Sequence, residues 1–428
     1  MLSDSYLYVI NGGLFEDTRY NTSNHFHTIL RWGYFLNYTV LPIAIFFKSR
    51  LFKNIASYVC LAFSVLSVIY FNEYMGYFLS PLGKGLHFNP TFRRMYFAFE
   101  LILAIVIPVV MQIKQKHYFN IFDKWEWIKF FTLFPIIALT LVPVYVPQAL
   151  IGYSSYTPQK GGNYHILWIL FIIALVLVIY HLFRFRSYHD RFLLCVFLTI
   201  ALFYHYDTLY LMGFTYKRLP VQLCNVAAYF YIIAIPLKLK RMFNFCFLTN
   251  VVGALIAIVI PTFSYGDTSF WALHYVFEHT LVFAIPLICM GLRIFPRLTP
   301  KAILHSFVGF TIYFVCVFLI GTHVNGYASR IGYRVNYFYM FDLEFAYKHF
   351  SFLKFTRYYH YEFGRYEVYP LVILIVYLGY QVFYLLSYAL TKLFYKIEDD
   401  HIALRLSGIT LYEEITGKTS KRPKDFID

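Results

Sequence analysis

The run Ile166-Leu167-Trp168-Ile169-Leu170-Phe171-Ile172-Ile173-Ala174-Leu175-Val176-Leu177-Val178-Ile179-Tyr180 holds no charge and no polar alternation. A membrane-spanning strand would alternate apolar and polar residues over about 10 positions. A helix rising about 1.5 Å per residue instead needs about 20 apolar residues to cross hydrocarbon, and the run with its flanks supplies them. The rest of the chain repeats this pattern. Of 428 residues, 60% are hydrophobic and only 14% are charged, which is too little polar surface to coat soluble domains. Windows of about 19 residues predict about eleven spans, and hence an all-α polytopic helical membrane protein. The spans lie near 29–47, 55–78, 95–113, 128–150, 164–183, 191–213, 219–237, 243–263, 270–292, 302–321 and 367–393.

The formal charge of +15 is dispersed among short connections, so it reads as a topology signal rather than a nucleic-acid surface. Lys48, Arg50 and Lys53 fall in the first connection, Lys114, Lys116, Lys124 and Lys129 in the third, and Arg184, Arg186 and Arg191 in the fifth. Lys238, Lys240 and Arg241 fall in the seventh, and Arg293, Arg297 and Lys301 in the ninth. The even-numbered short connections hold fewer cations. The positive-inside rule then places the odd connections and the tail 394–428 in the cytoplasm and the N-terminus outside, in a multi-pass protein of the cell membrane. No segment before Arg31 has the apolar core of a cleaved signal. The six cysteines show no CxxC and no metal-type spacing, so neither a disulfide framework nor a metal site is expected, nor any cofactor. Nothing in the pattern speaks to oligomeric state.

The longest connection, 321–366, is expected outside. It is crowded with aromatic and basic residues, as in Tyr358-Tyr359-His360-Tyr361, and is expected to lie on the outer membrane surface or to cap the bundle.

Ionisable groups inside hydrocarbon are costly, which makes each a candidate for function. Three stretches qualify: His205-Tyr206-Asp207, the run from Arg218 to Asn225, and His274 with Glu278 and His279. From the helix rise, Cys224 lies about 8 Å and His279 about 14 Å below their outer helix ends, and tilt or a broken helix start at Pro220 closes that difference. Cys224 and His279 are thus candidates for a nucleophile and base pair, in which imidazole takes the thiol proton and the thiolate attacks a carbonyl to form a thioester. The plainer readings stand beside it. Cys224 serves as a small packing residue, His279 as a hydrogen-bonding one, and His274 and Glu278, one turn apart, satisfy each other. His205, Asp207, His274 and His279 lack the HxxxH or HExxH spacing that puts two ligands on one face.

The sequence Arg218-Leu219-Pro220-Val221-Gln222-Leu223-Cys224-Asn225 resembles the LPLxLC motif of YwaF-like bacterial membrane proteins, relatives of the eukaryotic transmembrane protein 164 group. Asn250-Val251-Val252-Gly253-Ala254-Leu255, running to Ile260-Pro261, is similar to that family's small-residue helix. Tyr275-Val276-Phe277-Glu278-His279 resembles its aromatic helix with a motif histidine, and Asn336-Tyr337-Phe338-Tyr339-Met340 its NYMYL stretch. All four occur in the family's order. The KPxxPS and GPWPWY segments that follow in the family are absent here, and an aromatic, basic insertion occupies 341–365. The resemblance covers about 185–393, leaving 1–184 as added N-terminal transmembrane helices and 394–428 as a cytoplasmic tail.

The eukaryotic group is associated with Cys-dependent acyl transfer onto lysophospholipids. The resemblance therefore implies Cys224 as acyl-accepting nucleophile and His279 as general base, with membrane lipids as acyl donor or acceptor and no nucleic-acid partner. Gln222 and Asn225 are candidates to hold the oxyanion, and Asn250 to orient His279. His274, Glu278, Asn336 and Tyr337 complete the candidate substrate site. The competing expectation is a non-catalytic transporter or a membrane scaffold for envelope assembly.

Overall fold

A computed structural model describes residues 37, 40–46, 49–72, 90–115, 121–128, 130–131, 156–207, 219–263, 266–267, 269–328, 335–341, 347, 351–363 and 366–416. Their principal helices are α1 (Arg50–Ile69), α2 (Pro90–Gln115), α3 (Asn163–Phe183), α4 (Tyr188–Asp207), α5 (Leu223–Ala234), α6 (Lys240–Val259), α7 (Phe270–Gly291), α8 (Pro300–Ala328) and α9 (Pro370–Thr416). Between α8 and α9 come two 3-10 helices, Tyr337–Tyr339 and Ser351–Tyr358, and an antiparallel hairpin of β1 (Tyr361–Phe363) and β2 (Tyr366–Val368). The described chain is thus nearly all helical, with the hairpin as its departure from the all-α expectation.

Among the described residues seven helices are long and apolar enough to cross a membrane: α1, α2, α3, α6, α7, α8 and α9. Two further expected spans correspond to α4, whose ends carry His, Asp and Arg, and to the 12-residue α5. The remaining two, 29–47 and 128–150, lie for most of their length outside the described residues.

The chain forms two compact units. The first comprises Met1–Ile169, Leu193–Arg218 and Thr262–Leu281, the second Leu170–Phe192, Leu219–Pro261 and Val282–Asp428. In the first, α1 packs against α2. Ser49 starts α1 by accepting the Phe52 N–H at 3.1 Å, and the buried face then runs through Ser57, Cys60, Ser64 and Ser67. These small residues at spacings of three and four let two backbones approach. Ser64 Oγ reaches both Cys60 O in its own helix (2.8 Å) and Ala104 O in α2 (3.3 Å).

In the second unit α6 is the hub, packing against α5, α8 and α9. Every residue from 243 to 252 is buried, so this part of the helix is covered on all faces, as its lack of a polar side requires. Glycines line two crossings, and the second is the tight one. A Cβ on Gly253 would sit 3.7 Å from Leu223 of α5, and one on Gly309 of α8 would sit 3.1 Å from the Phe245 ring of α6. Side chains such as Leu167, Ile312 and Leu319 stay well exposed, the pattern of helix faces meant for lipid rather than water.

Candidate functional site

The candidate residues divide between the two units, and each half has its own construction. In the second unit, Pro220 and the turn around it hold the chain out of helix, and α5 begins only at Leu223. Gln222 is the N-cap, with extended backbone (φ −83, ψ 153) and no side-chain capping bond. Its carbonyl accepts the first intrahelical bond, from Val226 N at 2.9 Å. Cys224 is therefore the second helical residue, where the backbone N–H groups lack intrahelical acceptors and the helix dipole favours negative charge. Of the six free thiols, Cys224 alone lies in the first turn of a helix, and it is half-buried. Its thiol donates to Asn225 Oδ1 at 3.0 Å, which leaves the Asn225 amide nitrogen as the donor end of that side chain.

A chain of contacts fixes this helix start. Tyr313 of α8 donates its hydroxyl to the Val221 carbonyl at 2.7 Å, three residues before the cysteine. The Tyr313 ring in turn meets Phe338 at 5.9 Å, and Phe338 also touches Phe310, Phe314 and Tyr380. Phe338 adopts a left-handed backbone (φ 53, ψ 20), uncommon for a bulky residue, and this turns its ring into the cluster. Asn336 and Tyr337, expected among the substrate contacts, sit in the same segment. Asn336 Oδ1 accepts the Phe341 N–H at 3.0 Å, and Tyr337 is 1% exposed. Asn325 clamps the segment from α8, donating to Val335 O (3.0 Å) and accepting from Val335 N (2.7 Å). Asn250 is wholly buried on α6 opposite the Tyr231 hydroxyl of α5, which donates to Val282 O at 3.3 Å. Both polar ends of Asn250 lie outside hydrogen-bond geometry.

In the first unit, His279 places Nδ1 2.7 Å from the Tyr275 carbonyl one turn earlier. A carbonyl only accepts, so Nδ1 carries the proton and Nε2 is the basic nitrogen. The imidazole lies against the Tyr275 ring at 4.3 Å, and Trp168 packs on Tyr275 at 6.0 Å. Trp168 also donates its indole N–H to Thr280 Oγ1 at 2.8 Å. Phe263 closes this aromatic group against Tyr164, His165, Trp168 and Tyr275. On an adjoining face of α7, His274 and Glu278 meet at 3.5 Å, both buried. His205 of α4 stacks on His274 at 4.3 Å and donates to its backbone carbonyl at 3.2 Å. Asp207 is the last residue of α4, and its side chain lies outside the described residues.

The structure thus gathers His205, His274 and Glu278 in one cluster, His279 with Tyr275 and Trp168 in another, and Cys224 with Asn225 beside the Tyr313 bond. Among the described residues no three His, Cys, Asp or Glu groups gather as metal ligands. Tyr313, Phe338 and Trp168 were not singled out from the sequence. For Tyr313 and Trp168 the signal was a general one, that a hydroxyl or indole N–H inside an apolar span must find an acceptor, and 42 tyrosines dilute it; Phe338 carries no such polar group.

No curated protein and no solved structure matches the chain. The model of the TMEM164 family matches residues 153–380, a stretch that includes α3 and every residue of the three candidate groups. It covers just over half of a multi-pass helical membrane protein, and the chain belongs to the TMEM164 family.

Proposed function

We propose that this protein is a membrane acyltransferase of the cell membrane that holds a fatty acyl chain on Cys224 and passes it to a hydroxyl or amine acceptor at the outer leaflet. The observation that carries this reading is the place of Cys224 in the first turn of α5, where thiolate formation is favoured. The tautomer of His279 supports it, because a backbone-anchored Nδ1–H presents a basic Nε2.

In the first half reaction His279 Nε2 takes the Cys224 proton and the thiolate attacks the donor ester carbonyl. A C–S bond forms, the C–O bond breaks, and the proton passes to the departing alkoxide. In the second half reaction Nε2 takes the acceptor proton. The acceptor then attacks the thioester carbonyl, and the released thiolate recovers the proton. The Asn225 amide and the first-turn N–H groups of α5 are the donors for the oxyanion, with Gln222, uncommitted as a cap, beside them.

The test uses the full chain in liposomes with an acyl-labelled phospholipid. A hydroxylamine-sensitive adduct on the Cys224 peptide, absent in Cys224→Ala, is expected. Full lipid turnover by Cys224→Ala removes the covalent mechanism. The buried His205, His274 and Glu278 group favours a second reading, a transporter. Solute flux that depends on Glu278 and survives loss of Cys224 would select it.

A further inference from the structure

Arg184 closes α3, its backbone N–H continuing the helix to Tyr180 O at 2.9 Å. Its side chain is 1% exposed, and its Nε and both terminal nitrogens have no hydrogen-bond partner. The guanidinium lies over the Tyr180 ring at 5.3 Å and the Phe185 ring at 4.5 Å. Such ring contacts satisfy none of the cation's hydrogen-bond donors. They leave unused the five N–H groups along its edge, the part that recognises planar pairs of oxygens. A buried charge without a counter-ion is strongly unfavourable, so the edge calls for an anion.

Among the described residues no carboxylate pairs with Arg184, and further cations lie close by. Arg191 of α4 is 2% exposed and donates to Leu292 O at 2.6 Å, in the turn that ends α7. Gly291 of that turn lies against Tyr180, where a Cβ would come within 3.2 Å of the ring, so the Tyr180, Arg184 and Arg191 side chains share one corner of the second unit. Lys238, just beyond α5, extends over Tyr188 and Phe192 at 4.8 and 5.0 Å. Asp190, the acid nearest in sequence, makes no bond to Arg184, and its backbone N–H is spent on Ser187 Oγ. Because Lys238 follows the C-terminal end of α5, this corner lies at the opposite end of that helix from Cys224 and is separate from the proposed acyl site.

We propose that Arg184 anchors a phosphate site, its guanidinium edge binding two oxygens of one phosphate group with Tyr180 and Phe185 as the stacking faces. Phe185 is half open, which gives the anion its approach. Two sources share this chemistry, an anionic lipid headgroup in the leaflet next to the α3–α4 turn and free inorganic phosphate.

The experiment compares thermal unfolding of the full chain in nanodiscs of phosphatidylcholine alone, with added phosphatidic acid, with added diacylglycerol, and alone plus inorganic phosphate. Native mass spectrometry counts the lipid retained. A Tm rise with phosphatidic acid and not diacylglycerol identifies the lipid source, and an equal rise with inorganic phosphate identifies the free anion. In either case Arg184→Gln is expected to abolish the rise and weaken retention by about tenfold or more, while the exposed Arg186→Gln keeps both. Equal Tm values in all four conditions for the unaltered protein overturn the site, and that comparison needs no variant to fold. A rise that persists in Arg184→Gln, or that is lost in Arg186→Gln instead, overturns it as well.

Discussion

A Cβ added at Gly321 would fall 2.3 Å from the Phe341 ring and 3.2 Å from that of Tyr337. Both rings are buried in the segment that Asn325 pins to α8, so neither can swing clear without disturbing Phe338 and, behind it, Tyr313. Gly321→Ala is therefore expected to cost about 1–3 kcal/mol by overpacking, read as a lowered Tm in detergent. Gly253→Ala is the contrasting case, because its Cβ would meet Leu223 at an ordinary 3.7 Å. That variant is expected to unfold no earlier than the parent, since alanine adds helix propensity without a clash. Equal losses in the two variants would mean that crowding around these glycines is not what sets stability. A different kind of residue effect belongs to His279. An amide cannot serve as a base, so His279→Gln is expected to slow appearance of the Cys224 acyl adduct by roughly 100-fold or more. Tm should change little, because the bond given up is one local contact to Tyr275 O. An unchanged rate would exclude the imidazole from the proton transfer.

At the scale of elements, hydropathy reveals what enters hydrocarbon and is blind to where a helix ends. The span expected at 302–321 continues to Ala328, and the one at 367–393 continues to Thr416, where Lys396, Glu398, Ala403, Leu404 and Arg405 remain good helix formers after the apolar run stops. The opposite happened at 219–237, where Pro220 and the Gln222 cap shorten the helix to Leu223–Ala234. The sequence marked that break through its proline, yet only the backbone shows that the break puts Cys224 into the first turn. Likewise the motif order was legible in the chain, whereas the bond from Tyr313 to Val221 O was not, because it joins positions 92 residues apart. The α5 start makes its own prediction. Replacing Pro220 with alanine removes the barrier to helix upstream of Leu223 and moves Cys224 toward the interior of a longer helix. Alkylation of Cys224 by a soluble maleimide at neutral pH is expected to slow, since a thiolate inside a helix loses the unpaired N–H groups that stabilise it. Faster or unchanged alkylation would show that the first turn does not activate the thiol.

Across the whole molecule, the uneven distribution of Lys and Arg predicts a side for each connection, and on that prediction the two functional proposals, at opposite ends of α5, belong to opposite leaflets. Arg186 lies in a connection expected in the cytoplasm and Lys354 in the outer segment, and both side chains are exposed. The rule behind this assignment counts cations in short loops close to helix ends, which describes 184–191, whereas 321–366 is long and its own cations say little. The prediction thus rests on the short connections, and the long one is placed by the parity of the spans between them. In intact cells a membrane-impermeant maleimide is expected to label Lys354→Cys above the parent background and to label Arg186→Cys only after permeabilisation. Labelling of both from outside would break the alternation and require a span to be added or removed between 186 and 354. A clean reversal would preserve the span count and move the α5 start to the cytoplasmic leaflet, so that the acyl acceptor would have to be sought there instead.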